Sequence, residues 1–365
     1  MTAAGRNGIT ILIAAGGTGG HVYPALEVAR RLRARGVNVE WLGTRKGLEN
    51  KLVPGEGFPL HALSVGGLRG QGVLRALLAP AMLFVALARS LAVLRSVRAR
   101  LVLGMGGYVA GPGGLAAWLL RIPLLIHEQN SVPGLTNRAL ARFAARIMEA
   151  FPGSFSDNPR AVHTGNPVRP EISGLPAPEI RMAGRTGPLR VLVLGGSQGA
   201  LVLNQVLPEA LAALPSPDSV EIRHQAGVAH LESTRTRYAT AGLAVVPFAF
   251  IEDMAAAYEW ADVVICRAGA MTVSEVAAAG IAAIFVPYPY AVDDHQTRNA
   301  KFLSDAGAAV LVKQADLSAT LIRDLLDDFC SARDRLLAMA RAARGLAVPD
   351  AAEQVTNYCM EAVHA

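Results

Sequence analysis

Gly16-Gly-Thr-Gly-Gly20 runs directly into His21, where a strand-like apolar segment gives way to a helical pattern. Successive glycines let backbone approach an oxyanion, and the following helix aims free N–H groups and its positive dipole end at it. The same dipole lowers an imidazole pKa, so a histidine there stays neutral and able to accept a proton. The alternative for His21 is an N-terminal helix residue bonded to a nearby carbonyl. Gly104–Gly114, which includes Gly106, Gly107 and Tyr108, is a second glycine loop, and Gly195-Gly-Ser-Gln-Gly199 is a third. Three such loops point to phosphate binding. The dinucleotide pattern G-x-G-x-x-G fails twice, with Val22 and Val109 at the third position, and neither loop carries Gly-Lys-Ser/Thr. A nicotinamide cofactor is therefore disfavoured, and no cofactor is expected.

Two further segments put polar groups at strand ends, where open α/β sheets place their ligands. His127-Glu-Gln-Asn130 follows Leu-Leu-Ile. There Glu128 could be a base or a hydroxyl anchor and Asn130 a sugar anchor; a helix-capping loop is the alternative. Cys266-Arg-Ala-Gly-Ala-Met-Thr-Val-Ser-Glu275 reads as strand, glycine turn and helix. Arg267 could neutralise phosphate, and the free amides near Ala270–Thr272 could hold its oxygens. Glu275 could accept bonds from both hydroxyls of a ribose, or complement the helix dipole. Asp293-Asp-His-Gln296 is a short acid and histidine cluster without D-x-D, so metal-independent chemistry is expected.

These segments need a frame, and the chain starts one twice. A strand (Ile9–Ala15), a glycine loop, a helix (His21–Arg35) and a strand (Val37–Leu42) recur as Leu189–Leu194, Gly195–Gly199, Ala200–Leu214 and Val220–Gln225. That order is the βαβ unit of a doubly wound sheet, so the fold expected is α/β with two Rossmann-like domains facing each other. Leu101–Leu103 and Leu124–His127 extend the first sheet; Ala244–Val246, Val263–Cys266 and Ala283–Val286 extend the second. A Pro- and Gly-rich stretch from Pro152 to Pro188 reads as linker or hinge. The domains expected are 1–167, joined by a last helix at about 350–365, and 168–349.

Residues 57–127 hold seven arginines (Arg69, Arg75, Arg89, Arg95, Arg98, Arg100, Arg121) and no Asp or Glu, around the apolar run Ala76–Ala88. An oily segment bordered only by positive charge suits an anionic membrane surface. Thirteen helical residues reach only about 20 Å, short of an apolar slab of about 30 Å. With Pro80 inside the run, the expectation is a helix or helical hairpin, partly core and partly docked on lipid. Apolar residues make up 52% of the 365, enough for two cores, and the net charge is +6. Nucleic acid is a poor partner: aromatics are 5% and there is no lysine-rich tail. Three scattered cysteines without C-x-x-C suit a reducing cytoplasm, and no secretory signal is apparent at the N-terminus.

Gly16–Pro24, Gly104–Pro112, His127–Asn130, Gly165-Asn-Pro-Val-Arg169, Gly195–Ala200 and Arg267–Glu275 occur in the order and spacing of the MurG family of bacterial N-acetylglucosaminyltransferases. The sequence resembles that family from about Thr10 to Pro349. The resemblance implies a GT-B fold and a metal-independent, inverting transfer of GlcNAc from UDP-GlcNAc to the 4-hydroxyl of MurNAc in an undecaprenyl-pyrophosphoryl-linked pentapeptide acceptor. It implies donor contacts at Thr18, Gly19, Gly20, Asn130, Arg169, Ser197, Ile251, Ala270, Met271, Thr272, Val273, Ser274, Glu275 and Gln296. Within that set Ile251 would hold uracil through its backbone, Ser197 would meet the diphosphate and Glu275 the ribose. Asn130 and Gln296 would meet the transferred sugar. Where the family often pairs two glutamines, here His295 precedes a single Gln296. Gly16, Gly17, Gly106, Gly107 and Tyr108 would hold the acceptor pyrophosphate, and His21, with Glu128 as second choice, would be the general base. The implied setting is peripheral, on the cytoplasmic face of the inner membrane, with room for a cell-wall synthesis complex as a further partner. A UDP-GlcNAc 2-epimerase shares fold and donor but needs no lipid surface.

Overall fold

The computed structural model describes residues 8–63, 73–196 and 199–365, without the side chains of 73–78 and 292. Ser197 and Arg69 lie outside the described residues, as does the side chain of Arg75. The chain divides into two compact units, Met1–Val168 with Val348–Ala365, and Arg169–Ala347.

The first unit carries strands β1 (Thr10–Ala14), β2 (Asn38–Thr44), β3 (Leu60–Leu63), β4 (Leu101–Gly104), β5 (Leu124–Glu128), β6 (Arg146–Glu149) and β7 (Ala161–His163). Its first helices are α1 (Gly19–Ala34), α2 (Glu49–Gly55), α3 (Val73–Ser96), α4 (Ala110–Leu119) and α5 (Leu135–Leu140). The strands pair in the order β3-β2-β1-β4-β5-β6-β7, and every pair is parallel. A parallel sheet is covered on both faces, so its strands read as unbroken apolar runs. In β1, Ile11 and Ile13 enter one core while Leu12 and Ala14 enter the other. The order reverses between β1 and β4, the switch point where such sheets bind ligands.

The second unit carries β8 (Leu189–Leu194), β9 (Val220–Gln225), β10 (Val263–Cys266), β11 (Ala282–Phe285) and β12 (Ala309–Leu311), ordered β12-β11-β10-β8-β9 and again parallel. Its helices are α6 (Pro170–Ser173), α7 (Pro178–Met182), α8 (Leu201–Ala212), α9 (Leu231–Thr240), α10 (Met254–Trp260), α11 (Ala270–Ala279), α12 (His295–Ser304), α13 (Ala319–Ser331) and α14 (Arg333–Gly345). The final helix, α15 (Ala351–His364), belongs to the first unit and sends Val355, Cys359 and Val363 into its core.

Two expectations need correction. Ala244–Val246 is not a strand: Pro247 has no N–H to donate, and the isolated parallel bridge nearby, Gln225 to Phe248, lies beyond the segment. Pro152–Pro188 is not plain linker, since it holds β7, α6 and α7 and buries Ile172 and Leu175. Of the two alternatives for Ala76–Ala88 the helix is present and the hairpin is not: the run is part of the 24-residue α3, with Pro80 inside it. One face of α3 buries Ala86, Ser90 and Leu94, four residues apart, against the sheet side of the unit, and the Ser90 hydroxyl donates to the Ala86 carbonyl at 2.8 Å. The other face leaves Leu83, Phe84 and Val85 exposed, Phe84 at 72%. Among the described residues, Ala79–Ser96 is the one helical stretch long and apolar enough to cross a membrane.

Candidate active site

In the first unit, the loops after β1, β4 and β5 meet around His21. Thr18 opens α1 without a side-chain cap, and its carbonyl takes the N–H groups of His21 (3.1 Å) and Val22 (3.2 Å). The N–H groups of Gly19 and Gly20 are left at the open helix end. Gly106 (φ +97°) lies against the imidazole: a Cβ there would come within 2.6 Å of His21 Cδ2. Gly107 (φ +80°) lies against the first loop, where a Cβ would meet the Gly16 carbonyl oxygen at 2.2 Å. Only glycine lets the two loops touch this closely. His21 Nδ1 is buried and has no hydrogen-bond partner among the described residues. Burial is the largest influence on this imidazole and lowers its pKa, while Glu128, the Gly16 backbone and Glu49 pull it back up. Burial thus favours the neutral form of this imidazole.

The His127–Asn130 segment is built differently from the sequence reading. Glu128 is buried and fully engaged: Oε1 accepts from Asn130 N (3.0 Å) and Nδ2 (3.3 Å), and Oε2 from Gly134 N (3.1 Å) and Asn137 Nδ2 (2.9 Å). Such a carboxylate organises the loop 128–137 and has little capacity left to act as a base. His127 bonds Gly165 O through Nε2 (2.9 Å) and Gln129 Nε2 through Nδ1 (3.0 Å), and burial lowers its pKa to about 4. The Gln129 side-chain oxygen is buried without a partner among the described residues and lies 3.3 Å from a Cβ built on Gly106. Tyr108 is 54% exposed.

Sequence reasoning missed Glu49. This carboxylate is fully buried beneath the first glycine loop. Oε1 accepts from the Thr44 N–H and hydroxyl, both at 2.7 Å, and Oε2 accepts from the Gly17 N–H at 3.0 Å. Gly17, expected to face a phosphate, therefore already spends its amide on an acid. The only signal in the chain was the small residues Gly16, Gly43 and Gly47, whose missing side chains make room for Glu49.

In the second unit, the loop after β8 and the start of α11 carry the expected donor residues. Gly199 (φ +78°) abuts the Ala226 carbonyl, which a Cβ would meet at 2.2 Å. The Ile251 N–H donates to Gln225 Oε1 (2.9 Å), and Gln225 Nε2 donates to Gly196 O (3.1 Å). Helix α11 begins after Gly269 with no side-chain cap, so the N–H groups of Ala270, Met271 and Thr272 point out of the helix end. The Val273 N–H is already used by Gly269 O (2.9 Å), and Ser274 lies on the next turn. Glu275 joins Arg169 Nη2 (3.2 Å) and the Tyr258 hydroxyl (3.1 Å). Burial raises its pKa, and Arg169 and Tyr258 oppose the rise. Tyr258 sits on another helix, α10, and no motif in the chain points to it.

Arg267 and Gln296 both grip the Pro287–Tyr290 segment. The guanidinium donates to Val286 O (3.0 Å), Pro287 O (3.1 Å) and Gln314 Oε1 (2.7 Å), and lies 5.5 Å from the Tyr288 ring centroid. Gln296 Oε1 accepts from Tyr288 N (2.9 Å). Arg267 is thus a loop clamp with its donors largely used. Asp293 and Asp294 take left-handed backbone (φ 53° and 51°), and among the described residues no three His, Cys, Asp or Glu side chains gather as metal ligands.

The chain matches the glycosyltransferase family 28 N-terminal domain over residues 11–149 and the C-terminal domain over 190–355. It is 54% identical to the UDP-N-acetylglucosamine–N-acetylmuramyl-(pentapeptide) pyrophosphoryl-undecaprenol N-acetylglucosamine transferase of Marinobacter nauticus, covering 97% of each chain. It is 53% identical to the enzyme of the same name from Ralstonia nicotianae, covering 98% of this chain and 97% of that one. The crystal structure of Acinetobacter baumannii MurG superposes with a TM-score of 0.85 at 43% identity, over 97% of this chain and 99% of that one. The fold is accordingly GT-B, and the chain belongs to glycosyltransferase family 28 and, within it, to the MurG N-acetylglucosamine transferases.

Proposed function

We infer that this enzyme moves GlcNAc from UDP-GlcNAc to the 4-hydroxyl of MurNAc in undecaprenyl-pyrophosphoryl-MurNAc-pentapeptide, with inversion. The observation that carries the reading is His21: a neutral imidazole with an unpartnered buried nitrogen, on the first turn of a helix, walled by Gly106. A general base has this form, and one contributes about 10²–10⁴-fold to proton-transfer steps. Glu128 is the weaker choice because four hydrogen bonds already hold it.

The second unit takes the donor. The amides of Ala270–Thr272 and the positive end of α11 receive the diphosphate and stabilise it as it departs. Glu275, held by Arg169 and Tyr258, presents its carboxylate to the ribose. Ile251 holds uracil through its backbone, where the base has to displace or share the Gln225 amide. Arg267 and Gln296 act on the donor through the segment they hold, with Gln296 and Asn130 as sugar contacts. The first unit takes the acceptor pyrophosphate at the helix end of Gly19 and Gly20 and on the Gly106–Tyr108 loop.

The exposed apolar face of α3, with Trp118 and Leu119 on α4 and Phe143 beyond, is the surface we assign to the membrane. The Trp118 and Phe143 ring centroids lie 4.8 Å apart, with the rings tilted at 43°. Exposed aromatic and aliphatic groups in a stretch lacking acids fit an anionic leaflet, peripheral and on the cytoplasmic side. The test is a transfer assay with labelled UDP-GlcNAc and a short-chain lipid-linked acceptor, with and without EDTA. Labelled disaccharide product in both arms is expected; no acceptor-dependent product, or loss of product with EDTA, contradicts the reading.

A further inference from the structure

Glu49 is an unusual buried acid. It is completely enclosed, and among the described residues no lysine or arginine pairs with it. Burying a carboxylate without a counter-charge costs several kcal/mol unless hydrogen bonds hold the charged form. Here three donors do so: the Thr44 amide and hydroxyl and the Gly17 amide. The surroundings leave the space for it. A Cβ on Gly16, Gly43 or Gly47 would come within 2.5, 2.8 or 2.1 Å of Glu49 atoms. Three small residues and three donors thus converge on a carboxylate that makes no ion pair among the described residues.

The geometry leads from that charge to the base. Gly17, which donates to Glu49, is held at φ +98° immediately before Thr18, the residue that opens α1. His21 lies on the first turn of that helix and donates its N–H back to Thr18. We propose that Glu49 is a positioning residue for the transfer reaction, fixing the Gly16–Thr18 turn beneath His21 and supplying the negative charge that favours the imidazolium formed when His21 takes a proton. The inference rests on the reading of His21 as base. In that step the acceptor oxygen bonds to the anomeric carbon, the bond from that carbon to diphosphate breaks, UDP leaves with the electron pair, and the hydroxyl proton passes to His21. The imidazole then carries a positive charge in a desolvated site.

The groups facing His21 are few. From β5 comes Glu128, from α2 comes Glu49, from the loop after β1 the Gly16 backbone, and from the loop after β4 the uncharged edge of Gly106. Both acids raise the imidazole pKa against burial. Glu128 holds its own loop; Glu49 holds the turn that carries His21. The two carboxylates together offset part of the desolvation that would otherwise leave His21 too weak a base.

The test uses the full-length enzyme and two readouts. Histidine Cε1 resonances are titrated by NMR in the wild type, Glu49→Gln and Glu49→Asp, with His21→Ala identifying the His21 signal. The acid limb of kcat/KM is followed in the same proteins. Removing the charge should lower the His21 pKa by about half a unit or more and move the acid limb the same way. Turnover at its pH optimum should fall by about tenfold or more, with UDP-GlcNAc affinity by calorimetry unchanged. Glu49→Asp, which keeps the charge but withdraws it by one methylene, should fall between, so it decides the matter if the amide variant does not fold. A His21 pKa and acid limb unmoved in the variants, while His21→Ala is inactive, would overturn this inference alone. Full turnover in His21→Ala would instead overturn the base reading beneath it.

Discussion

The two units begin with the same strand, glycine loop and helix, yet they use acids in opposite ways. Beneath the loop after β1 lies Glu49, held by neutral donors and paired with no cation among the described residues. In the second unit the loop after β8 is tied by the neutral amide of Gln225, and the acid at the site, Glu275, is paired with Arg169. The first arrangement lowers the cost of a positive charge nearby, as forms on a histidine taking a proton. The second keeps its helix end free of uncompensated negative charge, as a departing diphosphate requires. The two units therefore place their acids differently: in the first the acid reaches under the loop after β1, whereas in the second it stands on α11, after β10, and an amide ties the loop after β8.

The comparison breaks most visibly at His21. His21→Ala should lower kcat by about 10²–10⁴-fold while calorimetric affinity for UDP-GlcNAc stays unchanged. A comparable loss of donor affinity would merge the two roles and contradict the division. In the second unit, Glu275→Gln weakens the bond to Arg169 and the ribose contact together. It should raise the KM for UDP-GlcNAc by about tenfold, about 1.4 kcal/mol, with a smaller change in kcat. A kcat loss at unchanged KM would place Glu275 in the chemistry instead.

Acid stability separates the units less sharply, because each contains a buried neutral histidine. His127 and His224 have pKa values lowered to about 4 by burial, against 6.5 for the free side chain. The unfolded chain therefore binds more protons than the folded one between those values. Stability should be intact above pH 6.5 and fall as the pH drops toward 4, by up to about 3 kcal/mol for each histidine. Urea melts at pH 7 and 4.5 check this, and equal midpoints would contradict it. The smallest effect on chemistry is expected at α3. Phe84→Ser should weaken binding to anionic vesicles by about tenfold and leave turnover of a detergent-soluble acceptor within about twofold. An equal loss in both assays would assign Phe84 to the fold.

The duplicated opening was legible because parallel strands are apolar end to end and glycine loops punctuate them. Thr10–Ala14 and Leu189–Leu194 carry that pattern plainly. Short or half-polar strands such as Ala161–His163 do not, and β3, β6 and β12 escape notice for the same reason. Ala244–Val246 misled because β-branched residues outweighed Pro247, whose missing N–H ends the ladder. At the site, residues within a motif could be found, but their partners could not. Arg267 turns to carbonyls twenty residues away, Tyr258 reaches Glu275 from another helix, and Glu49 is buried by loops that sequence does not show meeting. These features arise from tertiary contact, which a single chain's periodicity does not encode.

The central claim is that a neutral His21 takes the proton of the acceptor hydroxyl. It is tested most directly by the pH dependence of kcat/KM for the lipid-linked acceptor in the wild type and in the residual activity of His21→Ala. Because burial lowers the His21 pKa, the wild type should lose activity along an acid limb lying below pH 6.5, and that limb should vanish in His21→Ala. The same limb persisting in the variant would assign the titration to another group and contradict the account.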